Sequence, residues 1–283
     1  MSEPLFPRTT VGGVSLSRMI VGTNWMLGYS HTSNAADALI VRTNGSSTAI
    51  AATVGAFLER GVDAVMGLFS AHPELRDGVT MAEDRVGRAV VRIDTPIIDV
   101  ADSAEARRSA AAVFDACRAA GASFCLPHHT SVEQLVDKGR QRIHRLPDYL
   151  SMIRERGMIP GLSAHMPELI IYSDANGYDV ETYVQLYNCA GYLMQVEVEY
   201  IHRVIWNAKK PVMTIKPMAA GRVSPFVGLT FSWATIRPSD LVTVGCLTPE
   251  EAVEDVEISL AAIERRRPDI EGRSSPKVTE IMR

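Results

Sequence analysis

What the sequence lacks narrows its function first. No apolar run approaches the roughly 18 residues that a membrane-spanning helix needs, and no charged stretch leads into an apolar one near Met1. Neither a bilayer partner nor a secretory leader is expected. Basic surplus is missing as well: 29 Lys and Arg stand against 33 Asp and Glu, for a net charge of −4. The densest cationic run is "ERRRPD" at 264–269, so nucleic acid is not an expected partner. The four cysteines, at 117, 125, 189 and 246, show no CxxC spacing, and a reducing cytoplasm fits best. Internal repeats and low-complexity tracts are also absent.

What is present is ordinary for a protein with a large core: 46% hydrophobic and 22% charged residues, with a mean hydropathy of +0.03. A length of 283 residues is within the range of one α/β barrel, and a single domain over 1–283 is the expectation. "TTVGGVSLS" (9–17) reads as a hairpin turning at its Gly-Gly pair, placed to plug the bottom of a barrel. Eight apolar runs follow: "RMIVGT" (18–23), "VDAVMGL" (62–68), "TPIIDVAD" (95–102), "ASFCLP" (122–127), "MIPGLS" (158–163), "TYVQLY" (182–187), "PVMTIK" (211–216) and "LVTVG" (241–245). Their interiors do not alternate strictly, as expected of parallel strands covered on both faces.

Amphipathic stretches lie between them. "EARRSAAAVFDACRAAG" (105–121) places Ala110, Val113, Phe114 and Cys117 on one helical face and ends at Gly121. "TPEEAVEDVEISLAAIERR" (248–266) aligns Ala252, Val256, Leu260 and Ile263, with Thr248 and Glu251 at capping-box spacing. In "QVEVEYIHRVIW", Leu193, Val196, Tyr200 and Val204 predict a helix whose Glu197 and Glu199 face solvent. The repeated strand and helix rhythm predicts a (β/α)8 TIM barrel with an N-terminal β-hairpin; a doubly wound open sheet is the runner-up. Residues 24–46 are too long for an ordinary connection and read as a loop forming a lid or wall over the upper face.

The order and spacing of "VSLSRMIVGTNWMLG", "FLERGVDAVMG", "MIRERGMIPGLSAHMPE", "TYVQLYN", "VMTIKPMAAGRV" and "VTVGCLTPEEAVEDV" resemble the aldo-keto reductase superfamily over most of the chain. The resemblance implies a barrel that reduces carbonyls with nicotinamide, through an Asp, Tyr, Lys and His set. Counted onto this chain, the Asp position falls on Met66, the Tyr position near Ala71 and His72, and the Lys position on the Asp99 region. The His position alone is kept, as His128 or His129. The resemblance also implies a basic residue after strand eight for the phosphate of NADP. The stretch "CLTPEEAVEDV" is acidic there, so NADP is not supported, although the helix start at Thr248 offers a generic anion site.

Barrel chemistry sits at the C-terminal ends of strands, and the residues expected there are Asn24, Trp25, His31, His72, Asp99, Asp102, His128, His129, His165, Tyr187, Asn188 and Lys216. Five of the seven histidines fall on that face. The candidate catalytic groups are His128, His129, Asp99, Lys216 and His72; Asn24, Trp25, His31, Tyr187 and Asn188 are candidate substrate contacts. Asp99, His128, His129 and His165 could form a divalent-metal shell. No HExxH spacing enforces it, and loop hydrogen bonding is the plainer reading of the histidines. Lys216 reads as an anion contact or, if buried, as a Schiff-base amine. Trp25 and Tyr29 suit either stacking on a ligand or packing of the loop.

Three functions stay open on these residues. The favoured one is an enzyme without the redox set, doing acid-base, isomerase or lyase chemistry on a small polar carbonyl or sugar-like substrate. The second is a nicotinamide reductase with a rewired site. The third is a ligand-binding barrel without catalysis.

Overall fold

The computed structural model describes residues 5–270. The hairpin comes first: β1 (Arg8–Val11) pairs antiparallel with β2 (Val14–Ser17) across Gly12 and Gly13, both with positive φ. Val11 and Leu16 are buried with Ile20, Ala64, Phe124 and Met213 of the strands that follow. The hairpin therefore plugs the bottom of the barrel. Arg8 pairs with Asp63, which also accepts the Ser17 N–H at 2.9 Å.

The barrel strands are β3 (Met19–Gly22), β4 (Ala64–Gly67), β5 (Val91–Asp94) and β6 (Phe124–Cys125). After a minor hairpin, β7 (Val136–Asp137) with β8 (Arg142–Ile143), come β9 (Ile159–Pro160), β10 (Leu162–Ala164), β11 (Tyr183–Leu186), β12 (Val212–Ile215) and β13 (Leu241–Val244). β9 and β10 are one strand interrupted at Gly161. Its first half pairs with β6 and its second with β11, all parallel, which closes the sheet into eight strands. Alternation along the strands separates two cores. Ile20, Met66, Val184 and Met213 fill the barrel, whereas Met19, Val65, Tyr183 and Val212 face the helical layer. No helix of the described residues is long and apolar enough to cross a membrane.

Helices 104–119 and 249–264 form where their periodicity predicts, capped by Ser103 and Thr248, whose side chains accept the N–H of Ala106 and Glu251. Three expectations need correction. The third strand is Val91–Asp94, not 95–102. Pro96 has no N–H for a ladder, and Ile98 instead exchanges hydrogen bonds with the Ser131 hydroxyl. Residues 24–46 are not an irregular loop but mostly two helices, Asn24–Leu27 and Asn34–Asn44. The helix expected from Leu193 onward spans Val198–Asn207 and buries Ile201, Val204 and Ile205; Leu193 and Val196 precede it and Tyr200 is exposed.

Candidate active site

A cavity of about 650 Å³ opens at the C-terminal ends of the strands. Residues from every barrel strand or the turn after it reach it: Thr23, Met66, Thr95, His128, Ser163, Val184, Lys216 and Thr243 mark the eight in order. His31, His129, His165, Asn24 and Trp25 also line it. Four of the five histidines expected on this face thus come together.

The connection after β6 builds the centre. Pro127 and His128 leave the strand, and the single turn His129–Val132 runs into a tighter turn at Glu133–Leu135. That places His129 and Glu133 four residues apart on one side, with Nδ1 and Oε2 at 3.7 Å. The other Glu133 oxygen accepts the N–H groups of His165 and Met166 at 2.6 and 2.8 Å. Burial pushes the Glu133 carboxyl up, but His129 and these N–H groups outweigh it and hold it below its ordinary value. Glu133 thereby ties β6 to β10 and keeps a carboxylate beside His129.

The His129 ring stacks on His165 with centroids 3.6 Å apart and planes 19° from parallel, and His128 tilts against it at 4.2 Å. His128 Nδ1 accepts the Thr130 N–H at 3.4 Å and lies 2.9 Å from the Thr130 hydroxyl, which leaves the proton of the neutral ring on Nε2. Burial first, and then the charge of His129, lowers His128 to about 4 and His165 to about 3. Both are neutral proton acceptors near pH 7. His31 is also lowered, by burial and then by Lys216. Its backbone has φ 58°, its carbonyl accepts the Tyr192 hydroxyl at 2.9 Å, and its Nε2 is 3.0 Å from the Asn24 amide. Burial alone brings the Lys216 amine down to about 8.

Several expected residues lie elsewhere. Asp99 is exposed in the loop after β5 and accepts the Ala101 N–H; the carboxylate ending the third strand is Asp94, fully buried on the Ser70 N–H. Asp102 is exposed and pairs with Arg145. His72 precedes the helix Pro73–Val86, where Nδ1 contacts Glu74 at 2.8 Å, and Tyr29, which lines the cavity, stands next to its other nitrogen. Tyr187 continues the outward phase of β11 and donates to the Thr235 hydroxyl. Asn188 is buried in the following turn, holding Tyr192 through its N–H and carbonyl. His72, Asp99, Tyr187 and Asn188 are therefore not cavity residues.

The metal shell loses Asp99 with this correction, and its histidines pack ring against ring, His165 stacked on His129 and His128 tilted against it. Among the described residues no three His, Cys, Asp or Glu side chains gather to hold a metal ion.

Sequence reasoning missed Glu133 and Asp255. Glu133 was legible as His129 plus four in a segment that needed only one helical turn. Asp255 lies three residues after Ala252 on the buried face of helix 249–264 and lines the cavity with Glu251 and Glu254. Burial, then those two carboxylates, raises it to about 8. This wall offers no cation: Lys216 is the sole Lys or Arg among the cavity-lining residues described.

No family model and no curated protein matches the sequence. Solved structures do match. A Pseudomonas aeruginosa protein assigned as an aldo-keto reductase aligns with a TM-score of 0.66 at 12% identity, covering 93% of this chain and 98% of that one. An aldo-keto reductase from Klebsiella pneumoniae, solved with NADPH, gives 0.57 at 16%, covering 97% and 100%. The glycerol dehydrogenase of Gluconobacter oxydans gives 0.58 at 12%, covering 95% and 99%. At these identities the likeness concerns architecture: the chain has the (β/α)8 barrel fold of the aldo-keto reductases.

Proposed function

We propose that the chain is a barrel enzyme that moves protons on a small polar carbonyl or sugar-like substrate, in isomerase or lyase chemistry without hydride transfer. One observation carries this reading: three contacting imidazoles, one held by a carboxylate, share a cavity with a half-buried amine. His128 and His165 are neutral near pH 7 and accept a proton from carbon or oxygen. His129, with Glu133 3.7 Å from its Nδ1, is the group placed to return a proton. Lys216 faces the same cavity, where it meets the substrate carbonyl. Met66 and Thr95, neither an ionisable side chain, line the cavity at the second and third strands, which favours the reading without hydride transfer.

The acidic wall of Glu251, Glu254 and Asp255 does not suit the 2′-phosphate of NADP, which needs a cationic partner. A nicotinamide reductase is the second reading, supported by the full-length likeness to a reductase solved with NADPH. The test is proton exchange. Two-oxo acids and hydroxyaldehydes are incubated with the protein in D2O without nicotinamide, and loss of the α-proton signal is followed by NMR. The proposal expects exchange that falls by about 10²- to 10⁴-fold in His129→Ala. No exchange across the panel, with saturable micromolar binding of NADH or NADPH, would establish the second reading instead.

A further inference from the structure

Lys216 is placed by strain. Along β12, Met213 and Ile215 point into the barrel and Val212 points out, so an extended residue 216 would turn its side chain outward. Lys216 instead has φ 61°, in the left-handed region, and its carbonyl accepts the Ala219 N–H at 2.9 Å in the turn that follows. Ile215 and Lys216 consequently both line the cavity. For a residue with a Cβ this backbone is disfavoured by contact with the following carbonyl oxygen. A lysine that served only the surface would gain nothing from it.

Among the described residues no carboxylate pairs with this amine. Of the chain's five lysines, at 138, 209, 210, 216 and 277, Lys138 pairs with Glu168 at 2.6 Å, Lys210 pairs with Glu181 at 3.0 Å, and Lys209 donates to the Asp174 carbonyl at 2.7 Å. Burial is the one influence on Lys216, and it favours the neutral amine. An ammonium retained for charge would gain from a carboxylate partner. A nucleophile would lose by one, because a carboxylate holds the proton on the nitrogen.

We infer that Lys216 is a covalent site, an amine that condenses with an aldehyde or ketone entering this cavity. The inference rests on the carbonyl-substrate reading above. The neutral Nζ attacks the carbonyl carbon; the C–N bond forms as the π pair moves to oxygen, and a proton passes from nitrogen to that oxygen. The resulting hydroxyl takes a second proton, delivered from solvent through His129 beside Glu133, and leaves as water. The product is a protonated imine, which draws electrons from the neighbouring carbon, so that His128 or His165 removes a proton there. No oxidant or further reactant enters the balance.

The experiment uses the full chain with pyruvate or glycolaldehyde, reduced with sodium borohydride and analysed by intact mass and peptide mapping. One reduced adduct per chain, located on Lys216 and lost in Lys216→Arg, supports the inference. Label spread over Lys138, Lys209, Lys210 and Lys277, or unchanged in Lys216→Arg, overturns it. The same variant enters the D2O assay: an imine mechanism expects exchange to slow by about 10²-fold or more. Exchange kept at the parent rate by Lys216→Arg sinks the imine and leaves acid-base catalysis standing. Absence of exchange in the parent sinks the acid-base reading, while the borohydride adduct still decides the covalent site.

Discussion

Replacing Asp255 by Asn should stabilise the protein, and by an amount that depends on pH. The carboxyl is 2% exposed, with Glu251 and Glu254 as like-charged neighbours, and its pKa rises from 3.8 to about 8 on folding. Between those values the folded chain holds a proton that the unfolded chain has released. Stability therefore falls as pH rises through that window, by about 1.4 kcal/mol per pH unit. From pH 3.8 to 7 the accumulated cost is about 4 kcal/mol, and it levels off above pH 8. An amide of the same shape never ionises, so Asp255→Asn should match the parent near pH 3.5 and exceed it by about 4 kcal/mol at pH 7. Urea unfolding of both proteins across this range measures the difference, as a midpoint shift of more than about 1 M at pH 7. A difference that does not change with pH, or a less stable variant at pH 7, would refute the reasoning. It would mean that Asp255 is ionised and satisfied within the fold.

Other substitutions separate structural from functional residues. Gly12→Ala puts a Cβ 2.7 Å from the Ile159 side chain at φ 53°, so it should cost about 1–3 kcal/mol in urea unfolding. At Gly13, φ is 84° but no atom lies within 4 Å, and the same change should cost about 1 kcal/mol. Tyr187→Phe removes the bond to Thr235; it should lower stability by about 1 kcal/mol and leave the exchange rate in D2O unchanged. A large loss of exchange would return Tyr187 to the site. Thr248→Ala removes the cap on helix 249–264 and should cost about 1 kcal/mol, read by thermal unfolding.

The barrel was legible because seven of its strands carry mainly apolar runs without strict alternation, a pattern that burial on both faces imposes. The strand that was misread shows the limit. Arg92 interrupts "VVRID", and its guanidinium pairs with Glu83 on the outer layer, while the neighbouring "TPIIDV" offers a more continuous run. Apolar length favours the wrong segment, and only the missing N–H of Pro96 argues against it. Helix Asn34–Asn44 was hidden differently. It buries Ile40 but exposes Leu39 and Val41, so no 3.6-residue stripe marks it, and the Ser33 cap was its main signal.

Site residues divide along the same line. His128, His129, His165 and Lys216 were legible because they follow barrel strands directly, where a position count suffices. Tyr187 failed because closeness to a strand end does not determine the face, and Asn188 because its side chain is spent on Tyr192 in the turn. Val184 points into the barrel, so the two-residue period already sends Tyr183 and Tyr187 outward. Lys216 inverts that lesson. The same period sends it outward from β12, and a left-handed residue returns it to the cavity. A sequence pattern records the period but not its interruption, since any L-residue is disfavoured at such a φ and none announces it. The cost of placing an amine without a carboxylate partner among the described residues against the strand's own geometry is therefore the strongest physical reason to look for chemistry at Lys216. A desolvated amine and a strained backbone each lower stability, and they persist together where the chain uses what they position.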